Sequence, residues 1–132
     1  MSSYLLDTNI CIAFFKKNTV VFERLQGTEA PVLFVSEITI AELRYRAMRS
    51  NRPAYHIAVL LDFLDDVTVI PITECLEIFA SEKARLTALG SPIDNFDLLI
   101  GATAIHHNMT LVTNNTRHFQ RLKGIKLEDW TK

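Results

Sequence analysis

Three acidic residues beside apolar segments are the strongest candidates for chemistry in this sequence. Asp7 ends the apolar run 4–6, Glu42 flanks an apolar helical stripe, and Asp97 opens a strongly apolar helix. Carboxylates that converge on one site cannot all stay ionised unless a cation neutralises them. Oxygen-rich sites select Mg²⁺ or Mn²⁺ over zinc. The sequence therefore predicts a metal-dependent active site built from Asp7, Glu42 and Asp97 and suited to a phosphate substrate.

Each of these acids also has a purely structural interpretation. Asp7 is a suitable N-cap for a following helix, and Asp94 and Asp97 have the spacing of a capping box. Glu42 is spaced to pair with Arg46 at i,i+4, which would stabilise an exposed helix by only about 0.3 kcal/mol. The local pattern leaves these alternatives open.

Other residues and motifs that could form an active site find less support. Asn115, in a polar segment after another apolar run, could orient a water near a metal, although a turn with an N-cap explains its position better. The sequence has no phosphate-binding glycine loop and no serine or cysteine nucleophile with a partnered histidine. Its four histidines have no zinc-site spacing: His56, His106, His107 and His118.

Short apolar runs alternate with longer helical patterns, and these elements must position the acids. Runs without polar alternation predict strands at 4–6, 32–35, 67–70 and 110–113, with an edge strand at 124–127. Helices are expected near 9–16, 18–26, 37–50, 54–65, 73–89, 97–107 and 116–122. This order predicts an α/β fold with a parallel sheet covered on both faces. Ligands bind such sheets at the carboxyl ends of the strands, which is where Asp7 lies.

Composition favours a globular cytoplasmic protein. The 132 residues are 48% hydrophobic, and we expect them to form one domain over residues 1–132. Cys11 and Cys75 have no metal-site spacing and are expected to be reduced core residues. The sequence has no apolar run long enough to span a membrane and no pattern of a signal peptide.

The arginines are the candidates for binding a polyanion. The net charge of −1 gives no overall attraction for nucleic acid, but residues 44–52 and 98–127 carry bases and no acids. Basic patches beside an acidic pocket would suit an RNA substrate, with Arg44, Arg46 and Arg117 as contacts. From charge alone, solvated helix faces are the better explanation.

Four segments, taken in order, resemble the motifs of PIN-domain nucleases and are similar to VapC toxins of bacterial toxin–antitoxin pairs. They are residues 4–10, 36–45, 92–100 and 111–119, and the resemblance continues to Trp130. It implies a PIN-like three-layer α/β/α sandwich with a mainly parallel central sheet of four to five strands. It also implies Mg²⁺- or Mn²⁺-dependent RNA cleavage, a homodimer and a VapB-type antitoxin.

The same resemblance implies roles for individual residues. Asp7, Glu42 and Asp97 become the acidic core, with Asp7 and Asp97 as direct metal ligands. Asn115 and Thr113 fall in the fourth motif, Asn115 as a catalytic residue and Thr113 as a supplementary one.

Three positions depart from the pattern of the family. His118 stands where many relatives have an acid, Arg46 where many have glycine, and Asp94 where glycine is frequent. Asp94, Asn115 and His118 therefore compete for the fourth position of the site.

Two functions follow from these observations. The first is an endoribonuclease toxin that cleaves structured RNA, with tRNA the class that the resemblance implies, and so inhibits translation. The alternative, motivated by His118, is a catalytically weak PIN-fold module that binds RNA or a partner.

Overall fold

A five-stranded sheet forms the centre of the structure, a computed structural model that describes residues 3–29 and 32–132. The strand order is β3-β2-β1-β4-β5, and every neighbouring pair is parallel. The predicted parallel sheet is therefore confirmed, while residues 1–2 and 30–31 of the expected domain lie outside the described part. The strands are β1 Tyr4–Leu6, β2 Leu33–Ser36, β3 Thr68–Ile70, β4 Thr110–Val112 and β5 Lys126–Glu128.

Seven helices in the described residues connect these strands, close to their predicted positions. The helix predicted at 73–89 begins as a one-turn 3₁₀ helix, Thr73–Cys75. None of these helices combines the length and the hydropathy that crossing a membrane requires. The helices are α1 Thr8–Phe15, α2 Thr19–Gln26, α3 Glu37–Met48, α4 Pro53–Leu64, α5 Leu76–Ala88, α6 Asn95–His106 and α7 Thr116–Phe119.

Helices cover both faces of the sheet and make three layers. Leu5 and Leu111 belong to the hydrophobic cluster under α5, α6 and α7, whereas Leu6 and Val112 belong to the cluster under α1 to α4. Successive residues of a strand point to opposite faces, so adjacent leucines are buried in different cores. This explains why β1 and β4 are apolar without alternation.

The chain's own side chains set the predicted helix ends. Ser36 accepts a hydrogen bond from the backbone of Ile38 at 3.1 Å and caps α3, and Pro53 occupies the first position of α4. Asn108 after α6 has a φ of 55°, in the left-handed region that asparagine tolerates. Cys11 and Cys75 are buried and unpaired, as expected, and burial raises the pKa of the Cys11 thiol.

Helix α6 is the most deeply buried helix and carries Asp97 at its first turn. Residues 100–104 are all buried, and Gly101 lies so close to Leu122 that a β-carbon there would overlap the leucine side chain. The close packing fixes the axis of α6 against the sheet. The position of Asp97 at the sheet edge is therefore set by the core.

Candidate active site

The candidate site lies where β1 and β4 end side by side. Leu6 pairs with Val112, and the backbone N–H of Asp7 donates to Val112 O at 2.9 Å, so Asp7 and Thr113 follow the two strands at the same level. From β1 the chain continues to β2 and β3 on one side of β1, and it later returns to form β4 and β5 on the other side. Parallel sheets bind their ligands at such a switch point.

Asp7 is the most buried carboxylate of the site, with 4% of its surface exposed. Its Oδ1 accepts from the backbone N–H of Thr8 at 2.8 Å, and its Oδ2 accepts from Thr113 Oγ1 at 2.8 Å. Burial raises its pKa from an ordinary 3.8 to about 6, against the two hydrogen bonds, and the charges of Asp97 and Glu42 raise it further. The N-cap interpretation is thus correct but incomplete, because a cap alone needs no buried charge.

Glu42 is half-buried and contacts the first residue of α1, next to Asp7. Its Oε1 accepts from Thr8 Oγ1 at 2.7 Å, and the same hydroxyl lies 3.1 Å from Thr39 Oγ1. Burial raises the pKa of Glu42, and the charges of Asp97 and Asp94 add to that rise. Among the described residues Glu42 forms no ion pair with Arg46, so that structural alternative is not what the fold adopts.

Asp94 and Asp97 divide two tasks at the start of α6. The exposed Asp94 caps the helix, since its Oδ2 accepts from the backbone N–H groups of Phe96 and Asp97 at 3.1 and 3.3 Å. The Asp97 carboxylate gives no return bond to the cap and instead lies 3.1 Å from His118 Nε2. Burial raises the pKa of Asp97, Asp94 adds to the rise, and His118 opposes it. Half of the predicted capping box therefore forms, and Asp97 is turned to the site.

His118 and Arg121 form a polar chain that ends on Asp97. Arg121 Nη2 lies 2.8 Å from His118 Nδ1, and a guanidinium can only donate, so Nδ1 must accept. The imidazole is then neutral with its proton on Nε2, the nitrogen 3.1 Å from Asp97 Oδ2. The N–H is poorly aligned for a full hydrogen bond, although the contact is close. A protonated Nε2 cannot bind a metal, so His118 faces Asp97 as a donor.

Arg121 is itself fixed by the loop before α6. Its Nη1 donates to Ser91 Oγ at 3.0 Å and to the carbonyl of Pro92 at 3.0 Å, and its Nε donates to the carbonyl of His118 at 3.1 Å. The guanidinium thus joins the end of α7 to the segment that leads into Asp94. It holds the imidazole in one orientation.

The remaining predicted site residues differ in their burial and in their contacts with the acids. Thr113 is fully buried and bonds Asp7, whereas Asn115 is exposed and its backbone N–H donates to Thr113 Oγ1 at 3.0 Å. Asn115 occupies the N-cap position of α7, but its side chain makes no capping bond. Arg44 and Arg117 are exposed, while Arg46 is half-buried and lines a groove between α3 and α4.

Sequence reasoning missed the residues that organise the acids. Thr8 bonds both Asp7 and Glu42, Thr39 lies beside it, and Arg121 orients His118. The spacing of Thr39 and Glu42, three residues apart on α3, was an available signal for Thr39. Arg121 lies three residues after His118, a spacing that helices place on one face.

The donor set of this centre suits a hard divalent cation. Asp7, Glu42 and Asp97 offer carboxylate oxygens, and each of the three has a raised pKa because the protein takes its charge out of water without a compensating cation. Their oxygens do not all lie within 4.8 Å of one another, so protein contacts alone do not draw them together. A Mg²⁺ or Mn²⁺ ion would compensate for the water lost on burial, which is the main cause of the raised pKa values, and for the smaller repulsion between the acids.

The comparisons with known proteins agree with this geometry. A family model described as "PIN domain" matches residues 4–125 of the chain. The chain belongs to the PIN-domain family. The matched range includes Asp7, Glu42 and Asp97.

Relatives of this PIN domain match over their full lengths. It is 34% identical to the tRNA(fMet)-specific endonuclease VapC of Shigella flexneri, over 99% of this chain and 100% of the relative. It is 36% identical to Ribonuclease VapC2 of Haemophilus influenzae, over 98% and 99% of the two chains. The structure matches a chain of DNA-bound VapBC from Salmonella typhimurium with a TM-score of 0.91 and 32% identity, covering 98% and 99% of the two chains.

Proposed function

We propose that this PIN domain is a Mg²⁺- or Mn²⁺-dependent endoribonuclease, the toxin of a type II toxin–antitoxin pair. It cleaves structured RNA of the tRNA class in the cytoplasm and thereby inhibits translation. The observation that carries the proposal is the convergence of Asp7, Glu42 and Asp97 at the switch point of a PIN fold. Whole-length relatives named as an RNA-cleaving VapC and as a tRNA(fMet)-specific endonuclease support the substrate class.

Each acid has its own part in this proposal. Asp7 and Asp97 are the direct metal ligands, and Glu42 adds negative charge from α3. When bound, the ion lowers the pKa of a water and offsets charge on the scissile phosphate. The hydroxyls of Thr113 and Thr8 hold the Asp7 and Glu42 carboxylates in single orientations. The site is in this way rigid before substrate arrives.

We assign the fourth position to His118 as a positioning residue. Its Nε2 proton faces Asp97 Oδ2, which leaves the other carboxylate oxygen to the metal. Asn115 is exposed at the rim, where it can contact RNA, and Asp94 is committed to capping α6. The acid that many relatives carry at this position is thereby replaced by a neutral donor.

Replacing His118 should weaken metal binding by loosening Asp97. We expect His118→Ala to raise the half-saturating Mn²⁺ concentration and lower cleavage, each by about tenfold, as losing a partner of a metal ligand commonly does. His118→Gln, whose amide can supply the same N–H, should recover most of the Mn²⁺ affinity. Calorimetric Mn²⁺ titration measures both. Equal affinities for wild type and His118→Ala would contradict the assignment.

The exposed arginines are proposed to contact the RNA backbone. Arg117 lies on α7, the helix that carries His118, and Arg44 lies on α3, the helix that carries Glu42, and both arginines are exposed to solvent. Arg46 was predicted with them, but it lines the groove between α3 and α4. We therefore favour Arg44 and Arg117 as phosphate contacts.

A cleavage assay with defined metal tests the function directly. Purified protein should cut tRNA at discrete positions in Mg²⁺ or Mn²⁺, and EDTA should slow cleavage at least about tenfold until the ion is restored. Mapping the RNA ends identifies the site. If the protein binds no Mn²⁺ by calorimetry and EDTA leaves the products unchanged, the alternative of a non-catalytic binding module would hold.

The groove between α3 and α4 is the surface we propose for a VapB-type antitoxin. It encloses about 330 Å³ between apolar walls that include Leu43, Tyr55 and Val59, and the bases Arg46 and Arg49 line it as well. The neighbouring Tyr45 and Met48 are 67% and 66% exposed, so core packing does not explain them. An apolar segment with acidic flanks would fit these walls and charges.

Truncating one wall of the groove should separate antitoxin binding from catalysis. Tyr55→Ala should weaken binding of a VapB-type antitoxin by about tenfold or more, because exposed aromatic anchors carry much of such interfaces. Leu61→Ala is the matched control, since Leu61 lies on the same helix with 49% exposure against 51% for Tyr55, outside the groove. Both variants should cleave RNA normally. Equal losses of affinity would exclude this groove.

We also propose that the chain acts as a homodimer. Large apolar side chains outside the groove are exposed, among them Leu76, Leu89 and Phe96. Light scattering of the purified protein would count the subunits.

A further inference from the structure

A second cluster of metal-ligating side chains lies at the opposite end of α6 from Asp97. Glu74 belongs to the 3₁₀ helix, and His106 and His107 close α6. One ligand atom from each of the three lies within 4.8 Å of the others. His106 Nε2 is 3.4 Å from Glu74 Oε2, and His107 Nε2 is buried with no hydrogen-bond partner. His106 follows Asp97 by nine residues, which is about 14 Å along the helix axis.

The core holds the two elements that carry these ligands. Cys75, next to Glu74, is fully buried, and its sulfur lies 3.4 Å from Thr103 Oγ1. The Thr103 hydroxyl donates to the carbonyl of Leu99 at 2.8 Å, and the backbone N–H of His107 donates to Thr103 O at 3.1 Å. The 3₁₀ helix is therefore fixed against α6, and Glu74 is kept beside the histidines.

The electrostatics of the cluster favour a cation. The end of α6 carries the partial negative charge of the helix dipole, and Glu74 adds a full charge. Lys126 Nζ, which donates to the carbonyl of Asn108 at 3.2 Å, is a base near this end of α6 and opposes the field. The side chains of Glu74 and His106 are 72% and 36% exposed, so an ion can reach them from solvent.

The chemistry of the ligands selects the class of metal. Two imidazole nitrogens and one carboxylate with an open fourth position suit Zn²⁺, and they discriminate against Mg²⁺, which prefers oxygen. The acidic centre has the opposite preference, because its ligands are carboxylates. We propose that Glu74, His106 and His107 bind one zinc-class ion, which ties the segment after β3 to the end of α6. This site is separate from the acidic cluster and does not depend on RNA cleavage.

Zinc titration tests the proposal in a protein whose acidic centre has been disabled. Asp7→Asn with Asp97→Asn provides that background. We expect calorimetry to show one Zn²⁺ per chain, and Co²⁺ to give the visible absorption of a tetrahedral site. Saturating Zn²⁺ should raise the unfolding midpoint by about 5 °C.

Three substitutions added to this background locate the site. His106→Gln and Glu74→Gln should each weaken Zn²⁺ binding by about tenfold or more, and His56→Gln, far along the chain in the α3–α4 groove, should not. No Zn²⁺ binding in the background, or binding that His106→Gln and Glu74→Gln leave unchanged, would overturn the proposal. Failure of RNA cleavage would leave these measurements unaffected.

Discussion

Asp97→Asn should lower RNA cleavage by about 10²- to 10³-fold while the fold stays intact. The substitution removes a charge that a metal would neutralise, and a catalytic metal contributes several kcal/mol of transition-state stabilisation. The Asp97 side chain gives no capping bond, and its visible partner is His118, so little folding free energy depends on it. Single-turnover cleavage of tRNA with saturating Mn²⁺ measures the rate. Urea unfolding measures the stability, and expression in cells should no longer arrest growth.

Asp94→Asn is the matched control for this prediction, because it changes the same group on the same helical turn. Asparagine caps a helix as well as aspartate does, so α6 should keep its start. We expect cleavage within about twofold of wild type, as for a surface substitution. A loss as large as that of Asp97→Asn would place Asp94 among the ligands. An Asp97→Asn protein that cleaves at the wild-type rate would remove Asp97 from the active site.

The framework of this fold could be predicted because its signals are local. Four of the five strands come from short runs without polar alternation, a pattern that is typical of a sheet covered on both sides. Residues 5 and 6 show this, since they are buried in opposite cores. Ser36, Pro53 and Asn108 act within a few residues along the chain, so their roles as helix boundaries were also readable.

The organisation of the site was less predictable because its contacts join distant parts of the chain. Helical spacing offered Arg46 as the partner of Glu42, but the fold provides Thr8, 34 residues earlier. The histidines showed no metal spacing in sequence, and the structure places His106 beside Glu74, which lies on another element. Only the tertiary packing of α6 against the 3₁₀ helix brings that pair together.

A common physical cause underlies the raised pKa values of the acidic cluster. The fold buries carboxylates at the ends of strands and helices, where the backbone of the core fixes them, and hydrogen bonds from two threonines only partly compensate for the lost water. Such a site stores unfavourable free energy in the metal-free protein. Removing one of these charges should therefore raise the free energy of unfolding of the metal-free protein. Stability measurements can thus test the site independently of RNA cleavage.

Asp7→Asn should therefore stabilise the metal-free protein at neutral pH. The folded state raises the pKa of Asp7 from 3.8 to about 6, so it favours the protonated form. A raised carboxyl pKa costs stability as pH rises from about 4 to 6, and the full cost, roughly 2–3 kcal/mol, applies above that range. Asparagine carries no charge and still caps α1, so it avoids this cost. Urea unfolding in EDTA should give the variant a larger free energy of unfolding than wild type at pH 7.5. The difference between the two proteins should shrink as the pH falls toward 4.

Metal should reverse this order of stabilities. An ion that binds the folded wild type adds about 4.1 kcal/mol at 1,000 times its dissociation constant, which exceeds the cost of the buried charge, and the variant lacks the charge to bind it. Asp62→Asn, which changes an exposed residue on α4, is the control. It should leave the free energy of unfolding unchanged at pH 7.5 and at pH 4, and Mn²⁺ should stabilise it as it stabilises wild type. If metal-free Asp7→Asn is instead less stable than wild type at pH 7.5, the Asp7 carboxylate stabilises the fold through the hydrogen bonds that it accepts from Thr8 and Thr113. Burial of the Asp7 carboxylate would then stabilise the folded protein and would not be a free-energy cost that the metal site imposes.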